Sequence, residues 1–173
     1  MPSTGKARYV IEPFSKERHD RSNFSCGIES LDRYLREQAD QDRKRKIAVP
    51  FVLVEKGQPN VLGYYTLSAF SIHLGELPPS VAQKLPRYPD VPATLLGRLA
   101  VHRECQGQRL GEFLLVDALY RGLDQSDKVA SFAIVVDSIN EDARNFYLHF
   151  GFIPFPNRLD RLFLPMKTVE QLR

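Results

Sequence analysis

The amino-acid sequence predicts an α/β fold, α+β by stricter naming, on three observations. Apolar residues recur at helical spacing in windows near 28–44, 108–122 and 141–150, and β-branched or apolar runs fill the segments between them. In the second half these patterns alternate as strand, helix, strand, helix, strand, the order of a β-α-β-α-β unit around a partly parallel sheet. The first half carries two strand patterns joined by a turn signal, which adds an antiparallel hairpin.

The elements follow in chain order. Arg8 to Phe14 reads as a short strand ended by Pro13, and Asn23 to Gly27 as a turn. Ile28, Leu31, Leu35 and Ala39 recur on one helical face, giving a helix to about Lys44. Phe51 to Glu55 and Val61 to Ile72 are strands, with a turn signal at Gly57 to Asn60 between them. Leu74 to Pro92 holds five prolines, so it reads as a connection with one short helix around Val81 to Lys84. Thr94 to Val101 is a strand, and Gln108 to Gly122 a helix with Leu110, Phe113, Leu114 and Ala118 on one face. Val129 to Asp137 is almost wholly apolar, the pattern of a strand buried on both sides. Glu141 to Phe150 is a helix closed by Gly151, and Phe152 to Phe155 and Leu162 to Met166 are final strands.

A chain of 173 residues that is 43% hydrophobic can bury one core, so residues 1–173 read as a single domain. No run approaches the roughly 18 apolar residues of a membrane-spanning helix. Met1 to Arg8 is polar and lacks the apolar stretch of a secretory signal. A cytoplasmic protein with no membrane association is expected, with residues 1–7 disordered. Cys26 and Cys105 are too isolated for a disulfide framework and are expected as reduced thiols. His19, His73, His102 and His149 lack ligand spacing, so no metal is assigned. The net charge is +3, but Arg43, Lys44, Arg45 and Lys46 form an unbroken basic run, with Arg33 and Arg36 upstream on the same helix. Such a run suits either a phosphate backbone or a solvated helix end, where cations complement the dipole.

The segment from Leu99 to Gly111 runs from a strand into a helix through a glycine-bearing loop. The unpaired amides of a helix N-terminus, reinforced by the dipole, form a site for an anion such as pyrophosphate. Gly107 permits tight curvature, Gly111 close packing of the helix, and Arg109 a charge-assisted contact. A plain tight connection has the same look. The stretch resembles motif A of the GNAT acetyltransferases, Gln/Arg-x-x-Gly-x-Gly/Ala. Gln106 and Gly111 stand at its ends, Val101 lies five residues before Gln106, and Arg109 replaces the middle glycine. The resemblance implies a GNAT fold, a mixed sheet of six to seven strands flanked by about four helices. It also implies acetyl-CoA as cosubstrate, held by the backbone of Leu99, Ala100 and Val101 and by the amides of Gln106, Gly107, Gln108, Arg109, Leu110 and Gly111.

Asn140, Ala143, Phe146, Tyr147, Gly151 and Phe152 match the GNAT motif B pattern N-x-x-A-x-x-F-Y-x-x-x-G-F. Asn140 is also a good N-cap on residue type alone. The resemblance places Asn140, Ala143 and Phe146 beside the thiol end of coenzyme A and makes Tyr147 the general acid. Thioester cleavage expels a thiolate of pKa near 8.5, and a phenol of pKa near 10 remains protonated at neutral pH to supply its proton. A core aromatic is the plainer reading of Tyr147. The family expectation for the oxyanion is a backbone N–H on the Thr94 to Val101 strand.

Asn23 to Leu35, Val61 to Ser68 and Leu96 to Val101 resemble GNAT toxins of bacterial toxin–antitoxin pairs, so the similarity spans nearly the whole chain. That subfamily implies acetylation of the α-amine of aminoacyl-tRNA, a block of translation, a ribbon-helix-helix antitoxin and a homodimer. Arg43, Lys44, Arg45, Lys46 and Arg98 then become candidate tRNA contacts. No Glu or His stands out as a base, and an α-amine, with a pKa near 8, largely supplies its own neutral form. Two alternatives remain open: an acetyltransferase for a small amine or a protein N-terminus, and a catalytically weak module that binds coenzyme A or works as a corepressor.

Overall fold

The structure is a computed structural model that describes residues 8–173, so the expectation for residues 1–7 lies outside it. Seven strands form one mixed sheet in the order β1-β2-β3-β4-β5-β7-β6. The described chain packs as two compact units: residues up to Ser68 together with Arg98–Ala118, and Ala69–Gly97 with Leu119–Arg173.

In the first unit β1 (Tyr9–Pro13) runs antiparallel to β2 (Val49–Glu55), with Tyr9 opposite Glu55. β2 pairs antiparallel with the start of β3 (Val61–His73), the expected hairpin, with an irregularity between Leu53 and Val54. The single helix read to Lys44 is interrupted. α1 (Glu29–Arg33) and α2 (Ala39–Lys44) are joined by a π turn over Tyr34–Gln38. Tyr34, Leu35, Ala39 and Asp42 are buried along this interrupted segment. A wide turn frees carbonyls, and the Arg21 guanidinium fills them, donating to Leu35 O at 2.9 Å and Arg36 O at 3.2 Å. The core here is Phe14, Phe24, Tyr34, Leu35, Val52, Val54, Val61, Tyr64 and Ala100. Buried Asp42 is satisfied by the Tyr34 hydroxyl at 2.7 Å and the Gln38 amide at 2.9 Å. Gly63 lies under α4 (Leu110–Gln125): a Cβ there would sit 2.9 Å from Leu114 Cδ1 and 3.0 Å from Ala100 O.

In the second unit the proline-rich connection contains a 3-10 turn (Leu74–Glu76) and a short α3 (Pro79–Ala82), two residues ahead of the expected helix. β4 (Asp90–Val101) begins four residues before Thr94. β5 (Ala133–Asp137) pairs parallel with it, Thr94 facing Ile134 and Leu96 facing Val136. Ala133 to Val136 are fully buried, as an apolar strand covered on both faces should be. The strand does not start at Val129, because α4 runs on to Gln125 and the Val129 amide donates back to Gln125 O at 2.9 Å.

After α5 (Glu141–His149) the chain forms β6 (Ile153–Phe155) and β7 (Arg158–Pro165). The last strand of the β-α-β-α-β pattern, β6, does not pair with β5. β7 inserts between them, antiparallel to both, with Phe163 opposite Val135 on one side and Ile153 on the other. Leu162, Phe163 and Leu164 are fully buried, and that continuous apolar run outcompetes three-residue β6 for the inner position. Met166 is not strand but the start of α6 (Met166–Leu172), whose seven residues are too few to display a helical period. Pro165 precedes it, and Met166 and Val169 form its buried side. With α1 and α2 counted as one, five helices rather than four flank the sheet among the described residues.

Candidate active site

The loop leaving β4 is built from main-chain ties. The His102 amide donates to Leu62 O and the Arg103 amide to Ser25 O, both at 2.8 Å, and a 3-10 turn follows at Arg103–Cys105. Gln106 then braces the bend: its Nε2 donates to Val101 O and Cys26 O, each at 3.0 Å. Its main-chain amide is turned back to Arg103 O at 3.4 Å, so Gln106 holds the loop chiefly through its side chain. Gly107 has φ 86° with nothing within 4 Å of a would-be Cβ, so its requirement is conformational rather than steric.

Arg109, where the resembled motif has glycine, adopts φ 60°. The backbone thus keeps the left-handed turn although the side chain disfavours it. The first bond into α4 runs from the Phe113 amide to Arg109 O at 3.1 Å, so the amides just before it are the free donors of a helix N-terminus. Leu110, 5% exposed, anchors the helix start, while Gln106 to Arg109 are exposed. Sixteen residues of aligned dipole stand behind this turn. Free amides at the start of a helix can hold an anion such as a diphosphate. Leu99 and Val101 are half-buried, Ala100 is in the core, and the Val101 carbonyl is engaged by Gln106.

The second part stands on α5. The Asn140 side chain accepts a hydrogen bond from the Ala143 amide at 2.8 Å, as its residue type predicts. The helix closes with Gly151 N–H to Leu148 O at 3.0 Å and Phe152 N–H to Tyr147 O at 3.2 Å, a Schellman pair. These two ends fix a short helix in register. Tyr147 is held edge-on by Phe146 at 5.4 Å and tilted against Phe152 at 5.3 Å, and is 7% exposed. Burial pushes its phenol well above the ordinary value of 10. The only buried side-chain polar atom without a partner among the described residues is Arg43 Nε, so the Tyr147 hydroxyl is not a sealed orphan.

The basic run is divided. Arg43 and Lys44 pair with Asp40 at 2.9 and 3.0 Å, and these cations hold the Asp40 carboxyl below its ordinary range. Arg45 and Lys46 are exposed. The Arg98 guanidinium carbon lies 3.5 Å above the Tyr34 ring. Sequence reasoning did not single out Tyr34, which reads there as one more apolar position of an amphipathic helix. Both cysteines are free, and burial, with Asp32 beside it, pushes the Cys26 thiol up to about 11.

Residues 16–152 match the acetyltransferase (GNAT) family, and the chain belongs to that family and has its fold. A protein of Mycobacterium tuberculosis named as a tRNA-acetylating toxin is 37% identical over 88% of this chain and 90% of its own. A probable toxin TacT of Sinorhizobium fredii is 28% identical over 99% of both. Among solved structures, a tyrosine-to-phenylalanine mutant of KacT superposes with TM-score 0.90 at 33% identity, covering 96% of this chain and 99% of its own. AtaT complexed with acetyl-methionyl-tRNAfMet gives 0.88 at 33% identity, covering 95% and 98%. A tyrosine-to-phenylalanine AtaT mutant bound to the C-terminus of the antitoxin AtaR and acetyl-CoA gives 0.81 at 30%, also covering 95% and 98%. No helix among the described residues is long and apolar enough to cross a membrane.

Proposed function

We propose that this chain uses acetyl-CoA to acetylate the α-amine of aminoacyl-tRNA and thereby acts as a toxin that blocks translation. The observation that carries the reading is the similarity to a tRNA-acetylating toxin along 88% of the chain, within a family match that spans residues 16–152. The whole chain then works as one acetyltransferase domain in the cytoplasm, where its substrate is. It works as a homodimer, paired with a ribbon-helix-helix antitoxin.

Acetyl-CoA supplies the acetyl group as a thioester. The amides from Gly107 to Gly111 hold its diphosphate, and Leu99, Ala100 and Val101 line its pantetheine arm with backbone groups. Asn140, Ala143 and Phe146 shape the thiol end. Tyr147 is the general acid: its raised phenol keeps its proton throughout the neutral range and delivers it to the departing sulfur. No enzyme base is required, because an α-amine of pKa near 8 is already partly neutral. Arg43, Lys44, Arg45, Lys46 and Arg98 meet tRNA phosphates.

The test is acetylation with labelled acetyl-CoA of purified charged tRNA, beside a panel of small amines and an N-terminal peptide. Label is expected on the aminoacyl end of tRNA. Label on the amines or the peptide with tRNA untouched overturns the reading.

A further inference from the structure

Arg98 and Ala100 point to the same face of β4, because side chains alternate along a strand, and Leu99 and Val101 point to the other. Ala100 packs in the core cluster that contains Tyr34 and Tyr64. Arg98 therefore rises on the α1–α2 side of the strand, at the end of a layered stack. Phe24 meets Tyr64 edge-on at 5.6 Å, Tyr64 lies nearly parallel to Tyr34 at 6.2 Å and 13°, and Arg98 lies over Tyr34 at 3.5 Å. At that separation the guanidinium must lie flat, since an edge-on approach would drive a nitrogen into the ring. No carboxylate pairs with Arg98 among the described residues.

Tyr34 itself cannot turn away. Its hydroxyl is tied to buried Asp42 at 2.7 Å, and the backbone of the π turn it begins is held by Arg21 through Leu35 O and Arg36 O. A guanidinium whose one face is covered presents its other face and its in-plane N–H fork, the geometry that binds a phosphate through two donors. Arg98 stands about 10 Å along the strand from Val101. An anion on it therefore lies near the pantetheine end of the strand rather than at the diphosphate turn.

We propose that Arg98 is the contact for a backbone phosphate at the aminoacyl end of the tRNA, with Tyr34 as the positioning residue that holds its guanidinium flat. This rests on the aminoacyl-tRNA reading above and adds a defined subsite to it.

The test measures binding of full tRNA and of a short single-stranded RNA as a function of salt, together with acetylation kinetics. Arg98→Gln is expected to reduce the slope of log K against log salt by about 0.7 for the single strand. It should raise KM for charged tRNA on the order of tenfold, with kcat retained. Arg98→Lys keeps the charge and should keep the slope, while losing the fork and raising KM. Tyr34→Leu should reproduce the KM rise, and Tyr34→Phe, which retains the ring but loses the tie to Asp42, should show a smaller one. If Tyr34→Leu does not fold, the two Arg98 variants and Tyr34→Phe decide alone.

Unchanged slope and KM in Arg98→Gln overturn the proposal, as does a loss that appears in the KM for acetyl-CoA instead, which would make a cosubstrate phosphate the partner. Salt slopes need no turnover. An Arg98-dependent slope in a chain that leaves charged tRNA unacetylated sinks the acetylation reading and sustains this one. RNA that does not bind at all sinks this one.

Discussion

The Gln106 carboxamide donates to the carbonyl of Val101 at 3.0 Å, five residues back along the chain, and the same nitrogen reaches Cys26 O. This bond closes the loop between β4 and α4 and fixes the direction of the amides that follow. Replacing Gln106 by Leu removes both bonds and leaves two carbonyls without that donor. Acetyl-CoA affinity is expected to fall about tenfold, which matches loss of hydrogen bonds worth about 1–2 kcal/mol in total. Calorimetric titration with acetyl-CoA reads the effect, and an unchanged affinity would show that the brace does not set the loop.

Tyr147→Phe should fold, melt normally and bind acetyl-CoA, yet lose about 10²–10⁴-fold in rate, the scale of a lost general acid. Full activity in the variant would remove Tyr147 from the chemistry.

The same phenol, with Tyr34 and Tyr64, carries a pH dependence of stability. Burial raises all three above the ordinary value of 10, and Asp42 adds to the rise at Tyr34. Below about pH 10 both folded and unfolded chains hold these protons. Above it the unfolded chain releases them first, so the folded state binds more protons and stability falls as pH rises. Each phenol contributes a loss of up to about 1.4 kcal/mol per pH unit in that window. Denaturant titrations between pH 9 and 11 should show the decline, and Tyr147→Phe should make it shallower.

Arg109 holds φ 60° at a position where glycine is unstrained. Arg109→Gly should stabilise the protein by about 1 kcal/mol and raise Tm by about 2–4 °C. If backbone amides do the binding, acetyl-CoA affinity stays within a few-fold. A drop of a hundredfold in the same titration would instead assign the diphosphate to the guanidinium.

Gly63→Ala tests the packing of α4 on β3. The new methyl would meet Leu114 Cδ1 at 2.9 Å and Ala100 O at 3.0 Å, and a carbonyl cannot rotate aside as a side chain can. Destabilisation of about 1–3 kcal/mol is expected in urea unfolding. A neutral result would mean the helix shifts freely.

Much of this fold is written in local pattern. The Asn140 cap, the helix it opens and the fully buried β5 follow from residue type and apolar runs, because a cap bond and a two-sided burial each leave a signature within a few residues. The two motif segments were visible for the same reason: the residues of the glycine-bearing loop, and those of the capped helix that carries Tyr147, are neighbours in sequence. Boundaries that depend on competition were not visible. Val129 reads as strand until the end of α4 captures its amide, and Met166 reads as strand until α6 claims it.

The sequence by itself determined the class of fold, the loop with its left-handed turn at Gly107, and the candidate acid at Tyr147, since all three rest on contacts within a few residues. Tertiary structure alone decided that β7 rather than β6 lies against β5, that a π turn divides the first helix, and that Tyr34 lies beneath Arg98, 64 positions away. Those outcomes turn on which distant surfaces bury the most apolar area together and which cation finds a ring. No window of sequence contains both partners of such a choice.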